Sequence, residues 1–319
     1  LSIIFFLLVR YQPGSMCPAG AYGCVQLQHL DGPIVSQYFT WVGNTLHGNL
    51  GLTRDGQSVS AEITQKLPPT LLLVGAAVVA QQLIAIPLGI LSAVRQYSWF
   101  DSGLTFASYL ALSIPSFVLG IVLLHLFVVQ FKWFPVSGNE DVALPLLLSA
   151  GWWSALIHDP GYVLGDLARH LALPVIVLTT TGIAVDSRYM RASMLAALHQ
   201  DYVRTARSKG LRPRRVIFKH AFRNALLPVL TNFGLYVPTL IGGVVVVEYV
   251  FTWGGLGYAF AQALGTSSQF AYGGDTSDFP FLEGTLLLGA FVVLVVNLLV
   301  DLAYVWLDPR IRYDARGTA

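Results

Sequence analysis

"DYVRTARSKGLRPRRVIFKHAFRNALLP", residues 201–228, is the stretch on which the fold turns. It holds eight basic residues, Arg204, Arg207, Lys209, Arg212, Arg214, Arg215, Lys219 and Arg223, around a central Gly210 and Pro213. The remaining chain avoids charge. Only 11% of the 319 residues are charged and 55% are hydrophobic, with a mean hydropathy of +0.62. Soluble domains carry about 25% charged residues, so this cluster interrupts a chain of another class.

Long uncharged runs lie on both sides of the cluster. A helix crossing a bilayer needs about 20 apolar residues. Residues 70–94, 103–131 and 226–247 meet that, the second diluted only by His125. Residues 284–300 reach it when extended past Asp301 to Leu307. The Thr-rich run 171–185 is shorter and reads as a span over about 168–187. Leu1–Val9 is apolar but too short to cross, and it lacks the basic segment that precedes the apolar part of a signal peptide. It reads as the outer end of a first span that begins before Leu1. The runs are continuous rather than alternating, which argues against a β-barrel. The fold class expected is all-α and integral to the membrane, with about six transmembrane helices, the first truncated in this chain.

Basic residues set the orientation. Place the 95–101 turn, the 187–225 loop and the tail from 308 on one side. That side then carries fourteen basic residues: Arg95, Arg188, Arg191, the eight above, and Arg310, Arg312 and Arg316. The other side carries five: Arg10, Arg54, Lys66, Lys132 and Arg169. The basic loop and the C-terminus are therefore expected in the cytoplasm. The organisation expected is the end of a first helix at 1–9, an outer loop region at 10–66 and a transmembrane domain at 67–308. A coupling loop at 188–225 lies within that domain, and a cytoplasmic tail follows at 309–319. Cys17 and Cys24 then face an oxidising exterior, which permits a disulfide; two unpaired thiols are the alternative.

The basic loop has three readings. Positive charge retains it in the cytoplasm and against membrane lipids. Nucleic-acid binding would need interleaved stacking aromatics, and the loop offers only Tyr202 and Phe218 directly after a span; no nucleic-acid partner is expected. The third reading is a docking surface for a cytoplasmic protein, and the detailed pattern favours it. Leu195, Leu198, Tyr202 and Ala206 recur at helical spacing. Gly210 suits a helix C-terminus, with Arg207 and Lys209 at the negative end of its dipole. Pro213 suits the first turn of a new helix. A loop that needed only charge would not need this punctuation.

The stretch "YMRASMLAALHQDYVRTARSKGLRPRRVIFKHAFRNALLPVLTNFGL" resembles the cytoplasmic loop of B-type permease subunits in the dipeptide, oligopeptide and nickel branch of ABC importers. Arg204-Thr205-Ala206 stand at the importer pattern's Glu-Ala-Ala, Gly210 at its Gly, and His220-Ala221-Phe222-Arg223 at its Ile-x-Leu-Pro. The substitutions are those usual in the peptide branch. "YFTWVGNTLHGNLG" (38–51), "GILSAVRQYSWFD" (89–101), "FKWFPVSG" (131–138), "VEYVFTWGGLG" (247–257) and the stretch from Asp278 to Tyr313 resemble further family segments. Three features depart from the pattern: Gly254 replaces a usual Pro, Ser15 a usual Asp, and 265–277 looks like an insertion.

The resemblance implies an importer-type permease bundle with a cytoplasmic coupling helix, roughly Ala196–Lys209, in a bacterial or archaeal cytoplasmic membrane. It implies a homologous second permease subunit, two cytoplasmic ATPases holding ATP and Mg, and an extracytoplasmic substrate-binding protein. The chain has no G-x-x-x-x-G-K-[ST] loop, so no cofactor or catalytic residue is expected in it and energy must come from partners. Coupling residues expected are Leu198, Asp201, Tyr202, Arg204, Thr205, Ala206, Arg207, Lys209 and Gly210. Polar or bent positions inside spans are the default pathway candidates: Pro115, Ser116, Phe117, Glu248 and Asp301. Each also has a structural reading: a kink at Pro115, outer water for Glu248, a partner Arg for Asp301. Asp186 is expected to pair with Arg188 or Arg191. The substrates implied are di- or oligopeptides, with nickel or another small solute as the alternative. A membrane-embedded enzyme would need paired catalytic groups, which the sequence does not offer. A channel would need a filter-like segment, for which Gly254-Gly255-Leu256-Gly257 is the nearest candidate.

Overall fold

A computed structural model describes Ile3 and residues 33–53, 55–135, 138–139, 144–266 and 278–307. Cys17, Cys24, most of Leu1–Val9 and most of the 265–277 segment lie outside the described residues. Among those described, the chain is helical, with one isolated β-bridge between Leu52 and Ser58 and no strand.

Helix α1 is Ile34–Leu46 and α2 is Val59–Val94. Helix α3, Trp99–Ser113, starts at Ser98, whose Oγ accepts from the Asp101 N–H at 3.2 Å. Helix α4, Ser116–Gln130, winds its last seven residues in π geometry. Next come α5 at Ala150–His158, α6 at Pro160–Leu198 and α7 at Asp201–Ser208. A turn at Pro213–Arg215 and a π segment at Val216–Ala221 lead into α8, Phe222–Phe251. The short α9, Leu256–Ala261, and then α10, Phe279–Leu307, complete the set.

Val59–Val94, Pro160–Leu198 and Phe279–Leu302 are each long and apolar enough to cross a membrane. At about 1.5 Å per residue, the 36 residues of α2 reach about 54 Å, well beyond a ~30 Å hydrocarbon core. The helix therefore begins at Val59, inside the region expected to be an outer loop. Likewise α6 runs to Leu198, taking in the first eleven residues of the expected 188–225 loop.

The run 103–131 is not one straight span. Between α3 and α4 the chain bends by 96°. Pro115 has no N–H to give α3, and its ring drives Ile114 out of the helical region, to ψ 118. A second bend, of 89°, separates Gly242–Phe251 from Leu256–Gly265. Gly254 sits there at φ +72; proline, fixed near −65°, does not fit that conformation.

The chain folds as two compact units. The first takes its described residues from Leu1–Leu72, Pro135–His170 and Val244–Ala290; the second takes the rest. Val59, Ile63, Ala259, Ala263, Phe281 and Leu282 form a core in the first. The core of the second includes Ile90, Met190, Met194, Ala197, Val203, Ala206 and Val229. Outside these cores many large apolar side chains are exposed, among them Leu83, Phe106, Phe291 and Leu294. On apolar helices such faces meet acyl chains, which cost nothing to contact.

Within the second unit, α6 approaches α2 closely at Gly182. A Cβ there would collide with the carboxamide of Gln81, which is buried. Gly182→Val should therefore overpack this contact and cost about 1–3 kcal/mol. Gly75→Ala, where a Cβ meets open space, should be neutral. Thermal unfolding of the detergent-purified protein checks both; an unchanged Gly182→Val midpoint would mean that α6 shifts freely at this point.

Candidate coupling and transport site

Helix α7 is a separate two-turn helix rather than the end of α6. Gln200 is extended (φ −75, ψ 152) and breaks the helix, so the expected single helix Ala196–Lys209 is two elements. The buried face of α7 also differs from the sequence stripe. Val203 and Ala206 are buried and pack on the second unit's core, with Leu198 and Leu211 against them. Tyr202, read in the sequence as part of the apolar face, points outward and is 38% exposed. Asp201, Arg204, Thr205, Arg207, Lys209 and Gly210 are exposed as well. The Arg204–Asp201 pair spans 3.8 Å in full solvent and contributes little. An eight-residue helix is thus held by two small side chains and presents its other residues.

Its C-terminus explains the glycine. The Gly210 N–H donates to Arg207 O at 2.9 Å, and the Leu211 N–H donates to Ala206 O at 3.4 Å. This pair of bonds is the Schellman closure, which puts the residue after the C-cap in the left-handed region. Gly210 is there, at φ +70. Arg212 is then extended ahead of Pro213, which opens the next turn.

Twelve residues before Leu198, α6 carries a polar hub that the sequence reading assigned differently. Asp186 is buried and does not pair with Arg188 or Arg191. Its Oδ2 accepts from Gln81 Nε2 at 2.7 Å and Gln82 Nε2 at 2.6 Å, and its Oδ1 accepts from Asn232 Nδ2 at 2.9 Å. One carboxylate thus joins α6 to α2 and α8. Arg191 is engaged elsewhere, donating to both oxygens of Asp101 at 2.6 and 2.7 Å. Asp101 also accepts from Ser92 Oγ and the Tyr97 N–H. The cue was present in the sequence: Gln81-Gln82 is a polar pair in an apolar run. Only the fold shows that it meets Asp186.

The pathway candidates divide between the units. Glu248, in the first unit, is fully buried rather than in outer water. Its carboxylate accepts from Thr70 Oγ1 at 2.6 Å and from the Tyr258 N–H at 2.9 Å, while Thr70 Oγ1 accepts from the Leu256 N–H at 2.7 Å. The buried Trp253 adds an Nε1–H bond to Pro69 O at 3.0 Å. Glu248 therefore braces the bend that follows α8. Pro115 and Phe117 are exposed at the other bend, with Ser116 half-buried between them, and Asp301 is exposed on α10. Sequence reasoning missed Glu283, a buried acid whose Oε1 has no hydrogen-bond partner.

Apolar helices broken at two bends, tied together by buried carboxylates and carrying a short exposed helix, define a multi-pass membrane protein. Comparison with known proteins gives the particular family. The pattern of binding-protein-dependent transport system inner membrane components matches residues 85–313, and this chain belongs to that family. It is 38% identical over 324 residues to the oligopeptide transport system permease protein AppB of Bacillus subtilis, covering 98% of this chain and 94% of that protein. It is 36% identical over 337 residues to the dipeptide transport system permease protein DppB of Escherichia coli, with the same coverage. To the di/tripeptide transport system permease protein DppB of Pseudomonas aeruginosa it is 40% identical over 290 residues, covering 89% of this chain and 83% of that protein. The chain is a transport component, a permease subunit.

Asp186→Leu removes the shared acceptor and leaves three amide groups facing one another. An orphaned buried donor costs about 1–3 kcal/mol, so this variant should unfold well before the wild type in detergent. Asp186→Asn keeps one carbonyl acceptor and should lose about half as much. Equal stability of all three would show that the glutamines and Asn232 re-pair without Asp186.

Proposed function

We propose that this chain is the membrane-spanning permease subunit of an ATP-driven importer of di- or oligopeptides, forming half of the translocation pathway. Its partners are a homologous second permease subunit, two cytoplasmic ATPases that hold ATP and Mg, and an extracytoplasmic substrate-binding protein. It sits in a bacterial or archaeal cytoplasmic membrane, with α7, the basic loop and the C-terminus in the cytoplasm, an orientation that rests on fourteen basic residues against five.

One observation carries this reading: the exposed face of α7 on its buried foot of Val203 and Ala206. Tyr202, Arg204, Thr205, Arg207 and Lys209 offer an aromatic ring, three cations and a hydroxyl to a groove with an acidic rim. Closure of the ATPases on ATP would move α7. Two residues separate α7 from α6, and Asp186 ties α6 to α2 and α8. Motion of the knob therefore enters the bundle through a bonded element rather than a slack loop, as alternating access requires. The bend at Pro115–Phe117 and the outward Asp301 are the pathway positions this reading favours, with Glu248 bracing the other bend. The peptide substrate rests on the relatives, which are oligopeptide, dipeptide and di/tripeptide transport permeases.

The test is ATP-dependent uptake by proteoliposomes holding the complete complex, with labelled di- and oligopeptides compared with nickel. Peptide uptake is expected. Gly210→Val forces a β-branched residue into a left-handed conformation that already costs about 1–2 kcal/mol for an ordinary residue. It should lower uptake at least tenfold while the complex still assembles. Gly210→Asn, which tolerates that conformation, should keep most of it. Nickel uptake alone would move the substrate class to metals. Full uptake by Gly210→Val would remove α7 from the coupling path.

A further inference from the structure

A cleft of about 640 Å³ opens between α3 and α6 in the second unit. Thr105 and Tyr109 line it from α3; Arg188, Tyr189 and Arg191 line it from α6. The lining contains hydrogen-bond donors and two guanidinium groups but no carboxylate. Arg191 is engaged by both oxygens of Asp101. Arg188 is not paired with any carboxylate among the described residues. Its guanidinium lies over the Tyr109 ring, 4.5 Å from the centroid, and its Nη2 is 3.3 Å from the Tyr109 hydroxyl. The Tyr109 ring thus lies beneath an exposed cation whose other N–H groups can meet an anion. Asp101 cannot neutralise it, being already bonded by Arg191, Ser92 and the Tyr97 N–H.

The neighbouring residues place this cleft close to the interface end of α3. Just before it, Arg95, Tyr97 and Trp99 are exposed, the two aromatics at 85% and 92%. Exposed aromatics and a cation at a helix end mark the membrane–water interface. Thr105 lies six residues further on, about 9 Å along the helix. The lining of the cleft thus begins within about two turns of the interface end of α3. Beside the cleft, Phe106 and Leu110, neighbours in sequence of the lining residues Thr105 and Tyr109, are exposed and apolar, at 72% and 54%. A donor-lined cleft near the interface, flanked by exposed apolar side chains, offers contacts to a lipid phosphate and a surface to its acyl chain.

We infer that the α3–α6 cleft binds the phosphate of an anionic phospholipid at Arg188, with an acyl chain along Phe106 and Leu110. The phosphate accepts from Arg188 and the Tyr189 hydroxyl. A choline or ethanolamine headgroup would bring an ammonium towards the guanidinium groups with no carboxylate in the lining, so phosphatidylglycerol or cardiolipin is preferred. This goes beyond the transport reading: it rests on the membrane-spanning character of the chain and not on the substrate.

The test uses the complete complex in vesicles containing phosphatidylglycerol with a photoreactive acyl chain, or the phosphatidylcholine counterpart, with labelled sites mapped by peptide mass spectrometry. The expected result is labelling within residues 99–113 at least fivefold stronger with phosphatidylglycerol. Arg188→Gln should abolish that preference. Tyr109→Leu, which frees the guanidinium, should weaken it. Arg214→Gln, an exposed loop arginine, should leave it unchanged. Equal labelling by both lipids, or a preference that survives Arg188→Gln, overturns the assignment. Loss of labelling on adding inorganic phosphate would make the site one for a soluble anion. Absence of labelling at 99–113 while the sister subunit cross-links there would mean that protein, not lipid, fills the cleft.

Discussion

Lipid offers no hydrogen bonds, so a polar side chain that this chain carries into the bilayer is costly unless another protein group meets it. Asp186 is the clearest case, with three amide donors from two other helices converging on one carboxylate. Its burial without a cation is tolerable because a carboxylate is acceptor-only and every bond it receives comes from an amide. Glu248 follows the same logic at the bend after α8, where Thr70 and the Tyr258 N–H occupy its oxygens. In each unit, then, a buried acid fixes helices that apolar contact alone would leave free to slide, since lipid tails are as apolar as the side chains they would replace.

That constraint gives α7 its mechanical meaning. A knob held only by two small side chains, Val203 and Ala206, would rock without moving anything behind it. Here the helix that precedes it is uninterrupted from Pro160 to Leu198 and is bonded to two others through Asp186. The Schellman closure at Gly210 stiffens the far side of α7. In the proposed importer the ATPases act on the exposed face, and this continuity turns their closure into helix movement.

Much of this was legible in the sequence because the signals are local. Uncharged runs mark apolar helices, Pro115 marks a break, and Gly210 followed by Pro213 marks a stop and a restart; each depends on one residue's own backbone preferences. The peptide-permease resemblance was carried by contiguous motifs. What could not be read depends on tertiary partners. Spacing alone put Tyr202 on the inner face of a continuous helix, but Gln200 breaks that helix and resets its phase, so Val203 faces inward instead. Charge complementarity paired Asp186 with Arg188 or Arg191. The fold gives Arg191 to Asp101, ninety residues away in sequence, and leaves Asp186 to the glutamines. Helix ends also escaped, because α2 and α6 outrun the hydrocarbon thickness from which span lengths are read.

The misassigned arginines lead to the last step. Once Asp101 takes Arg191 and the amides take Asp186, Arg188 is left as a cation on a membrane helix with an aromatic ring for company. An uncompensated guanidinium at the edge of hydrocarbon is costly unless something anionic reaches it. With the Tyr109 ring beneath it, it is suited to recognise a defined group rather than merely snorkel towards water. The same economy of charge that makes residues 201–228 conspicuous therefore makes Arg188 informative. In a chain with so few ions, a cation with no counter-ion among the described residues points to one supplied from outside the chain, and near the interface the membrane itself is the nearest source.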